Sequence, residues 1–275
     1  MSEWKGRTAL VTGASYGIGE AFARALAAGG ANLVLTARSE DRLVSLARGL
    51  GTRAEVIPAD LTRPTAPEEI FGETERRGLA VDLLVNNAGF GAVGDFAQLP
   101  LGRQSEMIGL NVGALVALSH LYLQPMLRRR SGAIIQVAST AAFQAVPYFA
   151  VYAATKAFVL SFSEALWAEC AAQGVRVLAL CPGPTATHFQ EVAGTAHRRR
   201  RERMQTAEEV VAVGLRALAR GRSHVVPGAG NRVMVAAERL VPRELTTRLA
   251  ARLFRQFASP PTTRPSLDGG TERDA

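Results

Sequence analysis

Short apolar runs alternate with helix-length segments along most of this chain, and that alternation constrains the fold more than any other feature. Strands are expected at 8–11, 32–36, 54–57, 82–85, 133–137, 175–180 and 223–226. Helices are expected at 17–28, 40–50, 67–77, 103–127, 150–172 and 206–219. The strand runs are apolar on both faces rather than alternating, which suits parallel strands covered by helices on both sides. Strand–helix alternation implies βαβ units with right-handed crossovers. The expected class is therefore α/β, a doubly wound parallel β-sheet with helices on both faces and a ligand site at the carboxyl ends of its strands.

A chain of 275 residues holds such a sheet as a single domain, expected over 1–230. An amphipathic, Arg-rich segment over 231–258, broken by Pro242, reads as a C-terminal helical extension with Leu240, Leu245, Leu249, Leu253 and Phe254 along its apolar face. It packs on its own domain, on a second subunit, or on a membrane surface of acidic lipid. Residues 259–275 hold few apolar side chains and read as a disordered tail. The net charge is +8, but the Arg residues form no stripe interleaved with aromatics, so no nucleic-acid partner is expected. Arg198 to Arg201, with Arg203, form either a solvated face or a contact for an anionic substrate or partner. Cys170 and Cys181 read as reduced thiols, and no Cys/His spacing predicts a metal. Without a signal-peptide pattern or a charge-free apolar span, no membrane span is expected and the cytoplasm is the expected compartment.

After the first strand comes Thr12-Gly13-Ala14-Ser15-Tyr16-Gly17-Ile18-Gly19, and then a helix. Glycines let the backbone approach a pyrophosphate, and a helix N-terminus offers free N–H groups and positive partial charge. Strand, turn and helix in that order make this a dinucleotide site rather than a bare glycine-rich turn. The second strand ends in Leu35-Thr36-Ala37-Arg38, with no acid to accept from a ribose 2′-hydroxyl. Arg38 can pair with a 2′-phosphate, so NADP(H) is the expected cofactor, Ser15 and Arg63 assisting. Alternatively, Arg38 is a surface residue paired with Glu40 or Asp41.

Tyr152 and Lys156 stand at i and i+4 and share one face of a helix. An ammonium beside a phenol lowers its pKa from about 10 and suits it to exchange a proton with an alkoxide. Ser139, at the end of the fifth strand, can polarise a carbonyl oxygen. Asn111, inside an otherwise apolar helix, needs a partner for its amide.

With the Gly-x-x-x-Gly-x-Gly turn, this set resembles the short-chain dehydrogenase/reductase family through about residue 187. The resemblance implies a Rossmann-like fold and an oxidoreductase moving hydride between nicotinamide and a small-molecule carbonyl or secondary alcohol, carbonyl reduction being the expected direction. It implies catalytic roles for Asn111, which anchors a proton-relay water, and for Ser139, Tyr152 and Lys156. Cofactor contacts fall on Gly13, Ser15, Tyr16, Gly17, Ile18, Gly19 and Arg38, and also on Tyr152 and Lys156. Asp60 and Leu61 match the adenine-contacting pair, although Asp60 also reads as a turn cap. Asn86, Ala88 and Gly89 match the motif that props the sheet and lines the adenine-ribose side. Pro182, Gly183, Thr185 and Thr187 match the turn at the nicotinamide, with Thr185 where the family usually has an apolar residue. The loop over 188–205, carrying Phe189, Val192 and His197, lies where the family has its substrate lid. Gln144, Val146, Pro147 and Tyr148 are expected to line the pocket between Ser139 and Tyr152. Ketoacyl- or steroid-like substrates are a fold-level analogy. A homodimer or homotetramer pairing through 103–127 and 150–172 is implied. A catalytically silent NADP-binding regulator is the alternative function.

Overall fold

The structure, a computed structural model, describes residues 2–187, 204–238, 240–255 and 258. Seven strands form one sheet: β1 (Thr8–Thr12), β2 (Asn32–Thr36), β3 (Ala54–Val56), β4 (Val81–Asn86), β5 (Gly132–Val137), β6 (Val175–Leu180) and β7 (His224–Val225). Their order is β3-β2-β1-β4-β5-β6-β7, and every pairing is parallel. The chain winds outward from β1 to β3, then returns past β1 to β4. The switch point thus lies between β1 and β4, where a doubly wound sheet opens a crevice.

Two-sided burial explains why these runs form strands. Ala9, Val11, Leu33, Leu35, Leu83, Val85 and Ile135 pack under α1 (Gly17–Ala28), α2 (Glu40–Arg48) and α7 (Ala207–Ala219). The intervening Leu10, Val34, Leu84 and Ile134 pack on the other face, under α3 (Ala66–Arg76) and α5 (Leu115–Arg128). Successive residues of a strand therefore enter different cores, which is why the runs are apolar throughout. α6 (Ala150–Cys170) covers β5 and β6 with Val159 and Leu160.

The helix expected over 103–127 is present but not uniform. α4 (Leu101–Ile108) passes through a π-helical turn, Gly109–Ala114, into α5. By length and mean hydropathy Leu101–Arg128 could cross a membrane. Yet Met107, Leu118, Tyr122 and Met126 are buried, and the Tyr122 hydroxyl lies 2.9 Å from the Thr74 hydroxyl on α3. This is the packing of a core helix.

The segment after β7 folds as two helices, α8 (Ala229–Glu238) and α9 (Arg243–Phe254), the second opening directly after Pro242. Pro suits a helix start because its missing N–H would be unpaired there. Of the expected apolar face, Leu240 and Leu245 point to solvent, whereas Phe254 packs edge-on against Phe149 with ring centroids 5.9 Å apart. The tail expected over 259–275 lies outside the described residues.

Gly174 links α6 to β6 at φ +77, and a Cβ there would meet the Arg130 carbonyl oxygen at 2.3 Å. An L-residue in this left-handed region costs about 1–2 kcal/mol before any clash. Gly174→Ala is therefore expected to lose roughly 2 kcal/mol or more. Equilibrium denaturation in urea checks this, and an unchanged midpoint would show that the Arg130 turn gives way freely.

Candidate active site

A cleft of about 1190 Å³ opens at the carboxyl ends of the strands. Its floor at one end is the glycine turn. Thr12 Oγ1 accepts from the backbone N–H groups of Asn87 and Ala88, both at 2.9 Å. Asn87 Nδ2 donates back to the Thr12 and Gly13 carbonyls at 2.9 and 3.2 Å. The turn is thus held from β4 before any ligand arrives. Gly17 opens α1 at φ +57, where a Cβ would lie 2.9 Å from the Thr187 side chain. A Cβ on Gly19 would lie 2.2 Å from the Gly13 carbonyl oxygen. Only glycine fits both places, and the cradle they leave at a helix N-terminus fits a pyrophosphate. Gly13, Ser15, Tyr16, Gly17 and Ile18 line the cleft, while Gly19 lies behind them.

Arg38 is exposed at the mouth of the cleft beyond β2. Among the described residues it makes no ion pair with Glu40 or Asp41, the alternative left open by the sequence. Asp60 and Leu61 line the cleft nearby. Burial works against the Asp60 charge. Hydrogen bonds from Thr62 N at 3.0 Å and Thr62 Oγ1 at 2.8 Å, with the charges of Arg38 and Arg63, outweigh it and hold the carboxyl below its usual range. Asp60 is thus both a turn cap and a cleft residue. The Arg42 guanidinium lies 4.0 Å from the Tyr16 ring centroid and steadies the rim.

Ala88 and Gly89 line the cleft, but Asn86 does not. Its Nδ2 donates to Gln136 Oε1 at 2.9 Å and Ser119 Oγ at 3.1 Å, tying β4 to β5 and α5 behind the cleft wall. Pro182, Gly183, Thr185 and Thr187, after β6, form the opposite lip. The Thr185 hydroxyl donates to the Gly183 carbonyl at 2.9 Å, so an internal bond takes up the polar group that stands at an apolar position of the family motif.

Ser139, Tyr152 and Lys156 reach the same cleft from β5 and α6. Ser139 Oγ accepts from Ala141 N at 3.1 Å, which orients the hydroxyl. Lys156 is fully buried, and its Nζ donates to the Val137 carbonyl at 2.8 Å. Desolvation of the ammonium pushes its pKa down to about 8, slightly opposed by the Cys181 thiol. The same burial raises Cys181 to about 12, so this thiol packs and does not ionise. Lys156 Nζ lies 5.8 Å from the Tyr152 ring centroid.

Asn111 is absent from the cleft lining and sits in the π-helical turn. Its Oδ1 accepts from Phe90 N at 3.1 Å, and its Nδ2 donates to Phe90 O at 3.0 Å and Thr155 Oγ1 at 3.1 Å. The side chain fastens the loop after β4 to α6, within a turn type that recurs at functional sites. Gln144 and Val146 line the cleft as expected, but Pro147 and Tyr148 do not. Tyr148 has φ +66, and its carbonyl accepts from Gly94 N at 3.0 Å, so its backbone braces the neighbouring loop. The loop residues Phe189, Val192 and His197 and the Arg run lie outside the described residues.

The sequence reading missed the roof. Asn231, Met234, Glu238, Leu249, Ala250, Leu253 and Phe254, on α8 and α9, all line the cleft. The apolar face over 231–258 was the available signal, but its spacing does not say what it covers.

With this geometry in place, the chain is identified as a member of the short-chain dehydrogenase/reductase family. The short chain dehydrogenase profile matches residues 7–198. An uncharacterized oxidoreductase of Staphylococcus epidermidis is 33% identical over 211 residues, covering 77% of this chain and 92% of that protein. A 7β-hydroxysteroid dehydrogenase of Collinsella aerofaciens is 33% identical over 191 residues, 68% of this chain and 72% of that one. A short-chain dehydrogenase from Sphingobium yanoikuyae, solved in complex with NADPH, superposes with a TM-score of 0.76 at 30% identity, covering 94% of this chain and 99% of that one. The chain is thus an oxidoreductase of a family that uses NAD(P)(H).

The buried Lys156 has a stability consequence. Its folded pKa of about 8 lies below the ordinary lysine value of 10.5, so between those pH values the unfolded chain carries a proton that the folded one lacks. Stability then rises with pH across that window, and below about pH 8 the cost of the buried charge is felt in full. Thermal melts of the cofactor-free protein at pH 7 to 10 are expected to show this rise relative to Lys156→Met. Parallel pH profiles for the two proteins would refute it.

Proposed function

We propose that this protein is an NADP(H)-dependent oxidoreductase that reduces a ketone on a hydrophobic small molecule, and in reverse oxidises the secondary alcohol. The observation that carries the reading is the convergence of Ser139, Tyr152 and Lys156 on one cleft with the glycine turn and Arg38. The pyrophosphate is held by backbone N–H groups of the turn at the start of α1. Arg38 takes the 2′-phosphate with Ser15, which lines the same cleft, and the absence among the described residues of an ion pair from Arg38 to Glu40 or Asp41 supports that role. Asp60, Leu61, Ala88 and Gly89 take the adenosine side; Pro182, Gly183, Thr185, Thr187 and Lys156 take the nicotinamide side.

NADPH, when bound, supplies the hydride for the reduction. Ser139 donates a hydrogen bond to the substrate carbonyl oxygen and polarises it. Tyr152 gives its phenolic proton to that oxygen as negative charge builds there, and takes it back in the reverse direction. Lys156, held by Val137, keeps a positive charge beside Tyr152 that favours the phenolate left behind. Asn111 is a positioning residue, since its amide fixes the Phe90 loop against α6. Phe149, between Tyr152 and Phe254 in a run of edge-on rings, fixes the Tyr152 ring against the roof. The apolar cleft walls and the hydroxysteroid dehydrogenase relative both support a hydrophobic substrate. Ile108, Phe158 and Trp167, exposed on α4 and α6, supply apolar surface for a homodimer or homotetramer.

Calorimetric titration tests the cofactor. Arg38→Ala is expected to weaken NADPH binding by roughly ten- to a hundredfold, the range of a lost charge-assisted bond, and NADH binding by much less. Equal or tighter NADH binding by the unaltered protein would overturn the NADP assignment. Tyr152→Phe is expected to lower kcat/KM for ketone reduction by about 10²- to 10⁴-fold while NADPH still binds. Unchanged turnover in that variant would remove Tyr152 from the chemistry.

A further inference from the structure

Several buried polar side-chain atoms have no hydrogen-bond partner among the described residues, and only those of Glu238 belong to a residue lining the cleft. Both its carboxyl oxygens are shielded and unpartnered. The residue ends α8, where the helix dipole disfavours a negative charge. On the same roof stand Met234, Val241, Leu253 and Phe254, which offer it no polar contact. An orphaned carboxyl is a cost to the folded chain, and a partner arriving in the cleft removes it.

We propose that Glu238 is the polar recognition point of the substrate pocket, and that it binds a hydroxyl group on an otherwise apolar ketone, remote from the carbonyl. This deepens the reductase reading and rests on it. Burial raises the Glu238 pKa. A carboxyl accepts a hydrogen bond from a hydroxyl in either protonation state and also donates one when neutral, which complements a hydroxyl. The apolar roof accommodates the carbon frame that carries the hydroxyl, and the single carboxyl fixes its orientation between roof and Tyr152.

The test uses the full chain saturated with NADP⁺ and a matched pair of probes, 2-decalone and its 6-hydroxy derivative. Calorimetry is expected to show the hydroxylated ketone binding at least about tenfold more tightly, as for a site built to pair a substrate hydroxyl. Glu238→Met is expected to abolish that preference, and Glu238→Gln, which still donates and accepts, to keep part of it. Because it removes an orphaned group, Glu238→Met is also expected to raise the thermal midpoint of the ligand-free protein by a few degrees. Lack of discrimination between the two ketones by the unaltered protein would overturn the proposal. So would a preference that survives in Glu238→Met, or a midpoint that falls in it. Failure of the reductase reading is read separately: the protein would discriminate between the ketones in binding yet reduce neither with NADPH.

Discussion

Everything in this molecule follows from burying both faces of a parallel sheet. A parallel strand cannot turn directly into its neighbour, so each connection must cross over, and the crossovers become the helices that cover the faces. Covered on both sides, the sheet leaves only its ends open. The reversal of winding between β1 and β4 parts the loops at the carboxyl end. The glycine turn, Arg38, Asp60 and the Ser139 loop are therefore neighbours although far apart in sequence. The site is the residual opening of a packing solution.

Within that opening, one tie sets the local electrostatics. Lys156 gives its ammonium to the Val137 carbonyl at the end of β5, so α6 cannot slide along the sheet without stranding a charge. Asn111 makes a second tie from the other side, through Phe90 and Thr155. Together they fix the turn of α6 that carries Tyr152 between two strand ends. The cost of burying the ammonium is borne by the well-packed sheet beneath it, where Ile134, Ile135 and Leu178 are inaccessible to solvent.

Most of the sheet was legible because its signals are local. The runs over 32–36 and 175–180 match β2 and β6 to the residue, and the helix over 17–28 matches α1. The turn Thr12 to Gly19 declared itself because only glycine tolerates those backbone geometries. What stayed illegible depends on long-range placement. The π-helical turn at Asn111 leaves no trace in composition, so the sequence showed that its amide needs a partner but not that the partner is the Phe90 backbone. Glu238 drew no notice, since a lone acid on an Arg-rich helix reads as solvated. Pro147 and Tyr148 sit between Ser139 and Tyr152 in sequence, yet the left-handed backbone at Tyr148 turns that stretch away from the cleft.

The roof differs in kind from the rest of the site. α8 and α9 join the fold only after β7, the last strand, and contribute nothing to the sheet's pairing. The half of the cleft that would choose a cofactor is therefore written into the sheet, and the half that would choose a substrate is appended to it. The appended helices contain no strand pairing and no part of the glycine turn. In a lineage of such chains, substrate range is free to diversify by drift or exchange at the C-terminus while the redox partner stays constant.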